Sequence, residues 1–171
     1  MKKIIALIMS SALCASMVMT AVAADPVYNA RDVKVTVNGA QYNVLGYEVP
    51  GGGNGVKIRT LASILNGTSK QFNVSFSDGV VDIVVGEGYA APLGTELEAF
   101  TGAEPTGVYS THMFKINGTL VGMEAALASD YNYIPLENFI YSILGSTVIE
   151  YEEDGGIIID TESEISDEEW G

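Results

Sequence analysis

The chain carries one histidine, His112, and one cysteine, Cys14. A Ser-His-Asp site needs an imidazole base, so any such site would have to use His112, and no nucleophile-elbow pattern accompanies it. The run Gly51-Gly52-Gly53-Asn54-Gly55 lacks the Gly-Lys-Ser/Thr ending that cradles a phosphate, and it predicts a flexible loop. Two carboxylates flanking a bond could hydrolyse a glycoside, with Glu48, Asp78, Asp82, Glu96, Glu98 and Glu124 as the available groups. Among 22 acidic residues many pairs are accidental, and no spacing singles one out. No catalytic residue is therefore assigned, and an enzyme is not expected. Asp130-Tyr131-Asn132 and Glu152-Glu153-Asp154 offer hard oxygen ligands, but the spacing of a helix-loop-helix calcium site is missing. No metal site and no cofactor is expected. What remains is binding chemistry. Nine tyrosines could furnish a sugar-binding face or simply pack strands. Tyr131 and Tyr133 would share one face if their predicted loop is extended. With Arg59, at a predicted helix start, they are the candidate ligand-binding residues.

The charge balance narrows the partners. Eight basic residues against 22 acidic ones give a formal charge of -14. Nucleic-acid binding through phosphates needs Lys/Arg clusters, so that class is excluded. Residues 150–169 hold ten acidic groups and no basic one. Residues 162–171, acidic and polar with Ile165 and Trp170 as the apolar exceptions, are expected to form a solvated tail. Docking through Trp170 is the other reading of that segment.

The start of the chain reads as an export signal. Met1-Lys2-Lys3 is basic, Ile4-Ile5-Ala6-Leu7-Ile8-Met9 is apolar, and Ala21-Val22-Ala23 has the small-x-small form of a cleavage site. Residues 1–23 are expected to be a signal peptide. An uncleaved membrane anchor is the alternative. Cys14 lies inside that signal, preceded by Leu13, a poor match to a lipid-modified cysteine. No disulfide is then expected in the mature chain, whose stability must come from its core.

The elements that must position the candidates repeat along the chain. Val33-Lys34-Val35-Thr36-Val37 alternates as a strand and ends in the turn signal Asn38-Gly39. Residues 42–49 predict a second strand. Ile58, Leu61, Ala62 and Leu65 then fall at helical spacing, closed by Asn66-Gly67. Phe72-Asn73-Val74-Ser75-Phe76, the turn Ser77-Asp78-Gly79 and residues 80–85 complete a hairpin. The second copy runs from Phe114-Lys115-Ile116-Asn117-Gly118 through a weaker strand near residues 120–127 and a loop over 130–133. Pro135 suits the first turn of a helix whose stripe is Leu136, Phe139, Ile140 and Ile143, followed by strands at 147–151 and 157–159. The pattern is β-β-α-β-β twice. It predicts an α+β class: two tandem units, residues 24–88 and 112–161, each a small antiparallel sheet packed on one helix. Residues 89–111, rich in Gly, Pro and Thr, predict a linker.

Asn38-Gly39, Ile58-Arg59-Thr60-Leu61-Ala62, Leu65-Asn66-Gly67-Thr68 and Lys70-Gln71-Phe72-Asn73-Val74 resemble the stalk-domain family, also called the copper amine oxidase N-terminal-like domain. Tyr89, Pro92, Leu93, Gly94, Glu96 and Leu97 resemble the segment that follows such a unit. The resemblance spans residues 33–161 and is looser in the second half. Two features depart from the family pattern, the aromatic-aspartate turn, softened to Phe76-Ser77-Asp78 and Tyr151-Glu152-Glu153, and the helix start. Arg59 is followed by Thr60 where the family has a basic-aspartate pair, and Glu137-Asn138 stands there in the second copy. A role for that arginine could therefore survive only at Arg59. The resemblance implies an exported, cell-surface or wall-associated accessory module. It does not imply copper: the amine oxidases carry copper and quinone in a separate domain, copper there takes three imidazoles, and Asn132-Tyr133 has no copper site with which to form a quinone.

Taken together, these residues lead to the expectation of a secreted or surface-associated, non-catalytic stalk or binding module. A cell-wall polymer or another exported protein would be its partner, with no membrane contact after signal cleavage. A regulatory or inhibitory protein acting through a protein partner is the alternative.

Overall fold

A computed structural model describes residues 30–49, 53–90, 92, 94–97, 108–128, 131–145, 148–153 and 155–163. The expected signal with Cys14, much of the expected linker, Asp130, Asp154 and the tail from residue 164 lie outside the described residues.

The strands are β1 Ala30–Val37, β2 Ala40–Glu48, β3 Asn54–Lys57, β4 Phe72–Ser77, β5 Val80–Val85, β6 Val108–Ile116, β7 Thr119–Ala128, β8 Tyr131–Pro135, β9 Val148–Tyr151 and β10 Ile157–Asp160. Helix α1, Ile58–Ile64, follows β3. Helix α2, Leu136–Phe139, follows β8 and runs on as a π-helical turn over Ile140–Leu144. All ten strands form one mixed sheet in the order β4-β5-β6-β7-β8-β3-β2-β1-β10-β9. Only β1–β10 and β5–β6 are parallel pairs.

This corrects the predicted fold class. There are not two separate β-β-α-β-β units, each sheet packed on its own helix, but one large sheet with two short helices. Each repeat also has a third strand where the sequence predicts loop, β3 beginning at Asn54 and β8 at Tyr131. Both are short and contain Gly, Asn or Pro, which lowers their intrinsic strand signal. They form because each is flanked by strands on both sides: β3 by β2 and β8, β8 by β3 and β7.

The repeats are related by an approximate two-fold through the paired residues Val56 and Ile134 at the middle of the sheet. The closing hairpin of each repeat is exchanged. β4–β5 adds to the second repeat's β6, with Val81 opposite Phe114 and Ile83 opposite Ile116. β9–β10 adds to the first repeat's β1, with Ile157 opposite Val35 and Ile159 opposite Val37. Matching asparagines fasten both exchanges. Asn38 and Asn117 adopt positive φ (47° and 48°) ahead of Gly39 and Gly118, as a two-residue primed hairpin turn requires. The backbone N–H of Asn38 donates to Ile159 O (3.1 Å) and that of Asn117 to Ile83 O (2.9 Å). Their side-chain oxygens accept from Thr161 N (3.0 Å) and Val85 N (2.9 Å).

The main core covers one face of the sheet and both helices. Val33, Val35 and Val37 meet Ile157 and Ile159 there, as Val81 and Ile83 meet Phe114. Phe72 of β4 lies 5.2 Å, ring to ring, from Phe139 of α2, so the first repeat's hairpin is packed on the second repeat's helix. In α2 the π turn places Ile140 and Leu144 inward and leaves Ile143 only partly buried, which shifts the predicted stripe. A smaller cluster on the opposite face joins Leu45, Tyr47, Ala126, Ala128 and Tyr133.

Candidate functional site

The junction of β3 with α1 places three successive residues in the wall of one groove. Lys57 ends β3, Ile58 starts α1, and Arg59 follows. The exchanged hairpin supplies Val74, Ser75, Phe76 and Val81, and the start of β8 supplies Tyr131 and Asn132. Together they enclose a groove of about 170 Å³. Its walls are largely apolar, and Phe76 stands 65% exposed at the rim. That is unusual exposure for a phenylalanine on an edge strand, where an apolar side chain invites a partner.

Two cations line this groove. Lys57 is nearly buried, with its Nζ 4.3 Å from the centre of the Tyr131 ring, a cation–π contact. Arg59 donates from Nη1 to the hydroxyl of Tyr89 (3.1 Å) and has no ion pair among the described residues. Tyr89 in turn donates to Glu96 Oε1 (2.8 Å), while Gly94 N donates to Glu96 Oε2 (2.8 Å). Thr60 Oγ1 donates to the Glu96 carbonyl, and Tyr89 N to Asn66 Oδ1 (2.9 Å). The segment around Tyr89 and Glu96, predicted as linker, is therefore strapped along α1, where it orients the guanidinium of Arg59. Burial raises the Tyr89 hydroxyl above its usual pKa, while the hydrogen bond from Arg59 pulls the other way.

The equivalent place in the second repeat has other chemistry. With Ile58 matched to Leu136, Lys57 becomes Pro135 and Arg59 becomes Glu137. Glu137 hydrogen-bonds the hydroxyl of Tyr151, whose pKa is raised by burial first and by Glu137 second. The repeats have kept one frame and opposite charge.

Of the sequence candidates, Arg59 and Tyr131 meet in the groove, but Tyr133 does not. It lies in strand β8 rather than an exposed loop, and it is fully buried. Tyr131 and Tyr133 do alternate onto one face, yet at Tyr133 that face is covered, and its ring packs edge-on against Tyr47 at 4.6 Å. Lys57, Phe76 and Asn132 escape the sequence reading because β3 and β8 meet only by pairing between the repeats, and β4 belongs to the exchanged hairpin. The Lys57-x-Arg59 spacing at a strand–helix junction was the available signal.

The other groups weighed for chemistry lie apart. His112 sits within β6, and its Nε2 is 3.0 Å from Ser110 Oγ. Its ring has no other hydrogen bond or ion pair among the described residues. Asp82 pairs with Lys115 (2.6 Å), Glu124 accepts from Tyr109 (3.2 Å), and Glu96 holds the strap. Among the described residues no group of three His, Cys, Asp or Glu side chains could hold a metal ion. A second groove, about 260 Å³, opens between β7 and α2 and is lined by Met123, Ile134, Phe139 and Ile143, with Glu124 and Asn138 at its edge. Both grooves are smaller than the roughly 300–1,000 Å³ usual for sites that engulf a small molecule. They suit a projecting side chain or a single ring.

No protein-family model, no curated protein and no solved structure matches this chain.

Proposed function

We propose that this is an exported, non-catalytic binding module of the stalk-domain kind. Its first-repeat groove holds an anionic group, with an attached ring or apolar part, on a wall-associated polymer. The observation that carries this reading is the pairing of Lys57 and Arg59 with exposed Phe76 and with Tyr131. Arg59 has a fixed orientation and no carboxylate partner among the described residues, on a chain with 22 acidic residues. A guanidinium held this way can receive a carboxylate or phosphate in bidentate fashion, and an adjacent ring adds stacking area. Export is supported by the basic, apolar and small-residue order of residues 1–23.

Retention of purified residues 24–171 on insoluble cell wall tests this, with calcium and with chelator, for the unmodified chain and for Arg59→Ala. Retention that survives chelator, weakens with salt and is lost in Arg59→Ala is the expected result. Equal retention of the Arg59→Ala chain overturns the groove. Retention that disappears with chelator transfers the binding to cation bridges on the acidic surface.

A further inference from the structure

Resting on the reading just given, we infer that the acidic C-terminal segment, residues 164–171, occupies the Lys57–Arg59 groove of its own molecule and competes with the external ligand.

Three observations converge. The first is complementarity. The groove presents two cations, an exposed ring and apolar walls. The segment reads Glu164-Ile165-Ser166-Asp167-Glu168-Glu169-Trp170-Gly171, with four acidic residues, no basic one, and one large ring. The second is the launch point. Thr161 is clamped by Asn38 (Thr161 N to Oδ1, 3.0 Å), and its carbonyl accepts from Ser69 Oγ (2.5 Å) in the turn just after α1. Asp160 then turns the chain by accepting from Glu162 N and Ser163 N, at 2.9 and 3.1 Å. The third is reach. Helix α1 rises only about 10 Å from its Lys57 end toward that turn. Eight residues can extend roughly 26–29 Å. A segment tethered this closely is present at an effective concentration of order millimolar, so modest contacts suffice to fill the groove. The second repeat cannot receive it in this way, because Glu137 stands where Arg59 does in the first.

Trp170 is the sole tryptophan, so its fluorescence in the unmodified mature chain reports directly on the segment. The expected result has three parts. Trp170 emission lies to the blue of that of a free peptide of residues 161–171, and it is shielded from iodide. About 1 M salt, where charges are screened within roughly 3 Å, moves it to the peptide value. Arg59→Gln and Arg59→Ala do the same at low salt, and the signal is independent of protein concentration. Removing residues 164–171 raises apparent affinity for polygalacturonate, a soluble carboxylate polymer used as probe. The gain is about tenfold if the segment fills the groove nine-tenths of the time. Emission equal to the free peptide in the unmodified chain overturns the inference without any variant having to fold. A concentration-dependent blue shift overturns it too, since the occupant is then a second copy. The two readings fail separately: wall retention lost in Arg59→Ala with peptide-like Trp170 emission removes only the self-occupancy. A salt-released Trp170 signal, with no retention even of the truncated chain, removes only the wall.

Discussion

If the closing hairpins are exchanged, damage at the Phe72–Phe139 contact must weaken the whole molecule at once. Phe72 belongs by sequence to the first repeat and is fully buried against α2 of the second. Phe72→Ala removes a large buried ring and leaves a cavity, a change that costs about 3–5 kcal/mol. Of this, roughly 0.5–1.5 kcal/mol belongs to the ring pair itself. Against a total stability of about 5–15 kcal/mol, the loss is severe but survivable. With a urea slope of about 2 kcal/mol/M, the midpoint falls by about 2 M. The assay is urea unfolding of residues 24–171, followed by far-ultraviolet circular dichroism and by tyrosine signals. One transition, shifted as a whole, is the expected result, and a Phe72→Ala, Phe139→Ala cycle should give a coupling of about 0.5–1.5 kcal/mol. Two transitions, of which only one moves, or a coupling of zero, would refute the exchanged arrangement and restore two independent units.

Other consequences follow from single contacts. Gly46→Ala places a methyl 2.4 Å from Val33 Cγ2 and 2.7 Å from the Gly55 carbonyl, which is too close for either to yield, so a loss of about 1–3 kcal/mol or more is expected in thermal unfolding. Tyr133→Ala should destabilise by about 3–5 kcal/mol, whereas Tyr131→Ala should lower wall retention with a far smaller change in melting; the reverse pattern would return Tyr133 to the binding face. Tyr109 is pushed up to about 12, by burial and then by Glu124. Its neutral form is favoured by folding, so this contribution is complete below pH 10 and is lost as pH rises from 10 toward 12, read as ionisation near 295 nm alongside alkaline unfolding. In Tyr109→Phe that part of the alkaline loss should vanish.

Much of the local architecture was legible in the sequence. Alternation at Val33, Val35 and Val37 marks a strand, and Asn38-Gly39, Asp78-Gly79 and Asn117-Gly118 mark turns whose backbone φ values are all positive. The i, i+3, i+4 spacing of Ile58, Leu61 and Ala62 marks α1. These signals depend on side chains a few residues apart, and nearby sequence contains them. Arg59 and Tyr131 were likewise visible as residue types.

What the tertiary structure alone decided is which repeat each hairpin joins. Val81 and Ile83 of one hairpin, and Ile157 and Ile159 of the other, present the same alternating apolar face. Either could pair with β1 or with β6, because hydrophobic alternation sets the face of a strand and its register but not the identity of a similar neighbour. That choice turns two expected units into one sheet and buries Tyr133. It also carries Phe76 from β4 to the side of Lys57 and Arg59, which assembles the groove from parts the sequence leaves far apart.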